Sequence, residues 1–95
     1  MESIVWLVTY KCKAGMAEEF VRALKDSGLQ AAVRAEDGCM QYDYHISCEA
    51  EDTVLLVEHW RDAAAVKCHA ETPTMAKIKA LKLQYVEDTQ IARYE

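Results

Sequence analysis

The part of this chain with the clearest chemical potential is the segment 53–69, TVLLVEHWRDAAAVKCH. It reads as a β-strand that ends on a carboxylate and an indole and leads into a helix that carries an imidazole. Because side chains alternate between the two faces of a strand, Glu58 and Trp60 share one face with aliphatic side chains. An unpaired carboxylate is costly to bury among apolar groups, so Glu58 needs either a partner or a function.

A second strand, predicted over residues 39–46, adds aromatic side chains to the same neighbourhood. Tyr42 and Tyr44 alternate onto one of its faces together with Met40 and Ile46, and this more apolar face is expected to meet the helices. A cluster of Tyr42, Glu58, Trp60 and His69 would combine an aromatic wall, an acid and a base whose free pKa is about 6.5. Such a set could bind a flat phenolic or quinol ligand and remove a proton from it.

Each of these residues also has a purely structural interpretation. Tyr42 and Trp60 could be core aromatics whose polar tips are satisfied by hydrogen bonds. Glu58 could pair with His69 in a buried hydrogen bond, with no catalytic role. Tyr10, on the predicted first strand, either lines a pocket or fills it.

The sequence offers no other site. It has no Ser/His/Asp or Cys/His set that indicates a covalent nucleophile, and its three glycines form no phosphate-binding loop, so no nucleotide cofactor is expected. The spacing of the four cysteines matches no zinc pattern, and no metal site is predicted. Without a secretory signal, reduced thiols in a cytosol are the expectation. The cysteines are Cys12, Cys39, Cys48 and Cys68.

Length and charge limit the classes of protein. With 95 residues, one domain over 1–95 is predicted, and the net charge of −5 comes without a basic stripe. Lys77, Lys79 and Lys82 are interrupted by apolar residues and predict a solvated helix face, so binding to nucleic acid or to an anionic membrane is not expected. No stretch resembles a signal peptide or a transmembrane span, and a cytoplasmic location is predicted.

The hydrophobic pattern predicts an α+β fold. The first helix, over about 16–35, is amphipathic and is weakened in its middle by Gly28, a candidate bend. Asp62 is the expected N-cap of a second helix to about Glu71, and Thr72 and Pro73 are expected to start a third, to about Leu83. The predicted strands are Ser3–Cys12, Cys39–Ile46, Thr53–Trp60 and Glu87–Tyr94. The order β-α-β-β-α-α-β is the ferredoxin-like, split βαβ arrangement of a four-stranded antiparallel sheet.

That topology places the first and third strands in the centre of the sheet. Both strands are apolar on both faces, yet the helices can cover only one face of the sheet. A second copy of the sheet is the simplest cover for the other, so a homodimer packed sheet to sheet is predicted. The face assigned to this interface includes Val5, Leu7, Leu55, Val57 and Tyr94, with His45 and His59 as interface or surface residues.

The chain resembles the antibiotic biosynthesis monooxygenase domain over essentially its whole length. The resemblance rests on Gly38-Cys39-Met40-Gln41-Tyr42 and Val57-Glu58-His59-Trp60, followed by Asp62, Ala65, His69 and Thr72. It implies a dimeric α+β barrel with a small pocket between sheet and helices. It also implies that Tyr42, Glu58, Trp60 and His69 are pocket residues. Some members oxidise quinols or polycyclic phenols without metal or flavin.

The family is heterogeneous, and so several activities stay open. Its haem-degrading members carry an asparagine on the first strand, which this chain lacks. Its isomerase of a phosphorylated signal molecule would need fixed cations in the pocket, and Arg61, Lys11 and Lys13 lie at strand ends. The leading hypothesis is a cofactor-independent quinol or phenol monooxygenase. The others are an isomerase of a small hydroxyketone or phosphorylated signal, and a non-catalytic small-molecule-binding dimer.

Overall fold

A computed structural model describes residues 3–94, so residues 1, 2 and 95 of the predicted domain lie outside the described part. Within residues 3–94, four strands and four helices follow one another. In order they are β1 (Ile4–Cys12), α1 (Ala17–Asp26), α2 (Leu29–Arg34), β2 (Cys39–Ile46), β3 (Thr53–Trp60), α3 (Ala63–Ala70), α4 (Pro73–Tyr85) and β4 (Val86–Tyr94).

The strands form one antiparallel sheet in the order β2-β3-β1-β4. This confirms the ferredoxin-like prediction, including the central positions of β1 and β3. Glu58 of β3 pairs with Trp6 of β1 and with Tyr42 of β2, so the three side chains point to the same side of the sheet. That side is the one covered by the helices, and the sheet thereby carries the acid and its aromatic neighbours into the core.

The helix predicted over 16–35 is two helices. Gly28 lies between them with φ of +79°, a left-handed conformation that a residue with a side chain adopts only at a cost. The later helix starts are as predicted. The Asp62 carboxylate accepts a hydrogen bond from the backbone N–H of Ala65 at 2.9 Å, and the Thr72 hydroxyl accepts one from Met75 at 3.0 Å.

The predicted helix-facing side of β2 is correct for Tyr42 and Tyr44 and wrong for Met40. The pairing of β2 with β3 shifts register between Cys39 and Gln41, which reverses the alternation at the start of the strand. Cys39 consequently packs against the core, while Met40 is 59% exposed. Ile46, at the far end of the strand, is also largely exposed.

The opposite face of the sheet has no cover within residues 3–94. Val5 pairs with Tyr94, and Leu7 lies between Val57 and Ala92, so the side chains assigned to the predicted interface do share one face. The homodimer itself stays a prediction. None of the helices in this part of the chain is long and apolar enough to cross a membrane.

Gly38, just before β2, should not tolerate a side chain. Its φ is +86°, and a Cβ built there would lie 2.5 Å from the Cβ of Ala65. Gly38→Ala is therefore expected to lower the free energy of unfolding by about 2 to 4 kcal/mol, from backbone strain and overpacking together. Gly15→Ala is the matched control, since its φ is +75° but nothing lies within 4 Å of the added methyl group. Urea unfolding of both variants measures the difference, and equal losses would contradict the steric argument.

Candidate functional site

A cavity of about 150 Å³ lies between the sheet and the helices α3 and α4, on the β4 side. Aromatic and aliphatic side chains form most of its wall, with one carboxylate, one imidazole and two ammonium groups among them. The lining residues are Trp6, Val8, Tyr10, Glu58, Val66, His69, Ala70, Met75, Lys79, Lys82, Thr89 and Ile91.

His69 is held in the cavity wall on two sides. Its ring packs on the indole of Trp60 with centroids 4.6 Å apart and lies 5.8 Å from the ring of Tyr42. Its Nδ1 lies 3.1 and 3.3 Å from the two carboxylate oxygens of Glu36, just beyond the end of α2. Both partners are largely buried, so this contact fixes the ring orientation. The nitrogen that is not bound to Glu36 is Nε2.

Glu58 also lines the cavity, but it does not pair with His69 as the sequence suggested. Its Oε1 accepts a hydrogen bond from Trp60 Nε1 at 3.0 Å. Burial raises the pKa of Glu58, while the Trp60 hydrogen bond and the nearby His69 and Lys82 oppose that rise. Glu58 therefore holds its proton to higher pH than an exposed glutamate.

The predicted aromatic residues are divided between the cavity wall and the core behind it. Tyr10 lines the cavity, whereas Tyr42, Tyr44 and Trp60 are buried and do not. The Tyr44 hydroxyl donates to that of Tyr42 at 3.4 Å. Burial raises the pKa of Tyr44 to about 12 and those of Tyr10 and Tyr42 further still, so all three phenols stay protonated at neutral pH. The sequence predicted that a substrate contacts Tyr42, Tyr44 and Trp60. Their position behind the cavity wall does not favour such contact, which stays a prediction.

Several cavity residues were missed by the sequence analysis. Met75, Lys79 and Lys82 are spaced by four and three positions, which places them on one face of α4, and that face meets the cavity. The prediction of a solvated lysine face was therefore wrong for Lys82, which is half-buried, whereas Lys79 lines the cavity and is still exposed. The helical spacing was visible in the sequence, although the side of α4 that faces the sheet was not. Glu36 gave no such signal, because it is 33 positions from His69.

Within residues 3–94, no group of three or more His, Cys, Asp or Glu side chains is placed to hold a metal ion. The residues predicted to do chemistry lie close together. Glu58, His69 and Tyr10 line the cavity. Tyr42 and Trp60 pack against the His69 ring from behind, and Tyr44 packs on Tyr42.

The sheet, the helices and the cavity define a ferredoxin-like domain with an internal pocket, and known proteins share its fold. Residues 3–81 match the family model described as antibiotic biosynthesis monooxygenase. YcnE of Bacillus subtilis, named a putative monooxygenase, is 38% identical over 69 residues, which cover 73% of this chain and 70% of YcnE. The chain therefore belongs to the antibiotic biosynthesis monooxygenase family.

Solved structures agree with this assignment. The crystal structure of PA3566 from Pseudomonas aeruginosa matches with a TM-score of 0.86 and 28% identity, covering 99% of this chain and 93% of that one. The structure of SO0527 from Shewanella oneidensis matches with a TM-score of 0.86 and 26% identity, covering 98% of this chain and 89% of that one. The fold is thus shared across nearly the full length of each protein.

Proposed function

We propose that this protein is a monooxygenase that oxidises a small quinol or phenolic substrate with molecular oxygen, without metal or flavin. The observation that carries the proposal is the imidazole of His69, which lines the cavity while its Nδ1 is bound to Glu36. Family membership and the name of YcnE support the same class of reaction.

His69 acts as the base in this proposal. If the neutral ring donates its Nδ1–H to the Glu36 carboxylate, Nε2 carries the lone pair and can accept the phenolic proton. The Glu36 carboxylate then stabilises the imidazolium that forms. The phenolate or quinolate left behind gives up an electron to oxygen more readily than the neutral substrate does.

For a quinol, the reaction balances without a further reductant. One atom of O2 enters the ring, the other leaves as water, and the quinol becomes a hydroxyquinone by supplying the electrons itself. The apolar wall formed by Trp6, Val8 and Met75 keeps water from the ring and the intermediate. Trp60 and Tyr42 support the His69 ring from behind rather than stacking on the substrate.

An oxygen-dependent assay tests the proposal. A panel of quinols and phenols is incubated with the protein in air and under anaerobic conditions, and then with 18O2. We expect product only in the presence of oxygen, with one labelled atom in the ring of a quinol-derived product. Equal turnover in air and under anaerobic conditions, or a product without label, would contradict it.

Glu36→Gln should separate orientation from charge. Glutamine can still accept the Nδ1–H hydrogen bond, but it cannot stabilise the imidazolium, so kcat is expected to fall by about 10- to 100-fold while KM changes little. Steady-state kinetics measures both constants. Glu71→Gln, an exposed carboxylate just beyond α3, is the control. A rise in KM at constant kcat would indicate that Glu36 has only a structural role.

Glu58 and His69 together also support a second candidate function, the isomerisation of a small hydroxyketone. Glu58 and His69 line one cavity, and the raised pKa of Glu58 makes it a proton donor beside a base. Product that forms equally fast without oxygen distinguishes this reaction from the monooxygenase. A ligand that co-purifies with the protein and stays unchanged would instead favour a binding role.

A further inference from the structure

Lys79 and Lys82 of α4 line the same cavity as His69 of α3. The Nζ of Lys82 lies 5.1 Å from the ring centroid of Tyr10, whereas the His69 ring packs on the indole of Trp60. The imidazole and the ammonium group thus belong to different helices and contact different aromatic neighbours.

Neither lysine has a carboxylate partner within residues 3–94. Glu58 lies in the same cavity, but its Oε1 is bound by Trp60. Glu87 and Asp88 border a neighbouring cleft together with both lysines, without forming an ion pair with either. Burial lowers the pKa of Lys82, and the charge of Lys79 lowers it further, with Glu58 opposing both effects. The positive charge of Lys82 is therefore half-buried, and no carboxylate in the described part of the chain forms an ion pair with it.

We infer that the substrate of this cavity carries an anionic group, a carboxylate or a phosphate, and that Lys82 binds this group with the help of Lys79. The inference rests on the proposed function for the reacting end and narrows the substrate to an acidic phenol or quinol. A ligand of this kind would place its hydroxyl group towards His69 and its anion towards α4. The anion would supply the partner that the half-buried ammonium lacks.

Matched ligand pairs test the inference by calorimetry under anaerobic conditions, where turnover by the proposed reaction cannot occur. One pair is hydroquinone and 2,5-dihydroxybenzoate, and the other is phenol and 4-hydroxyphenyl phosphate, so each anionic ligand keeps a free phenolic hydroxyl group. We expect the anionic member of at least one pair to bind about 10- to 100-fold more tightly, as a charge-assisted hydrogen bond predicts. The pair that shows the preference identifies the carboxylate or the phosphate as the group recognised. High ionic strength should weaken the binding of only the anionic member of each pair.

Three variants assign the preference to its residue. Lys82→Gln should abolish it, Lys82→Arg should keep most of it, and Lys77→Gln, on an exposed position of the same helix, should leave it unchanged. Equal or tighter binding of both neutral members, or a preference that survives in folded Lys82→Gln, would overturn the inference. If Lys82→Gln does not fold, Lys79→Gln and the salt dependence of the wild-type protein decide it. Anion preference without oxygen-dependent product would overturn only the proposed reaction.

Discussion

His69→Ala is expected to lose most of the oxygen-dependent turnover, by about 10²- to 10⁴-fold in kcat, the range typical for the loss of a positioned general base. The phenolic proton would then have to pass to water in a cavity built mainly of apolar groups. Rates of oxygen consumption and of quinone formation measure the loss. Binding should weaken far less, because Tyr10, Met75 and the other wall residues remain.

The His69→Ala variant needs controls for folding, because its ring packs on Trp60. Thermal unfolding measures how far the truncation destabilises the core. Added imidazole should restore part of the lost rate if the missing group is a base. Lys67→Ala, exposed on the same helix, should keep wild-type activity. Full turnover in well-folded His69→Ala would exclude this residue as the base.

The sequence predicted the scaffold of this site better than its contacts. Alternation along β3 placed Glu58 and Trp60 on one face, and the hydrogen bond between them is the direct consequence, since the two residues are two positions apart on a strand. A hydrogen bond between Glu58 and His69, which the sequence left open, does not form. Local spacing could not show that the end of α2 lies beside α3. This packing makes Glu36, and not Glu58, the partner of the His69 imidazole.

Two further differences have the same origin in long-range structure. The register shift that turns Met40 outward depends on how β2 pairs with β3, and a single strand carries no mark of it. Lys82 was predicted to lie in solvent because charge normally faces water, and it is half-buried instead. Its position over the cavity follows from the packing of α4 against the sheet, and its ammonium group covers the Tyr10 ring. Periodicity determines the face that two residues share, whereas tertiary packing determines what that face meets.

Leu55→Asp is expected to convert the proposed homodimer into a monomer. Leu55 lies between Thr9 and His45 on the sheet face that no described helix covers, near the middle of the predicted interface. An unpaired carboxylate buried there would cost several kcal/mol, which raises the dissociation constant by about 10³-fold or more. Light scattering or sedimentation over a range of concentrations measures the change. Leu83→Asp is the matched control, because Leu83 is 80% exposed on α4, on the other side of the sheet.

The outcome of this pair of variants distinguishes two uses of the apolar sheet face. A wild-type dimer that Leu55→Asp dissociates and Leu83→Asp does not would show that the face is the contact between two copies. A wild-type protein that stays monomeric at high concentration would contradict the homodimer and leave the face for a different partner. Since the cavity lies on the helix-covered side of the sheet and Leu55 on the opposite face, the dissociated variant should still bind ligand, and loss of binding would instead indicate that the second copy supports the site.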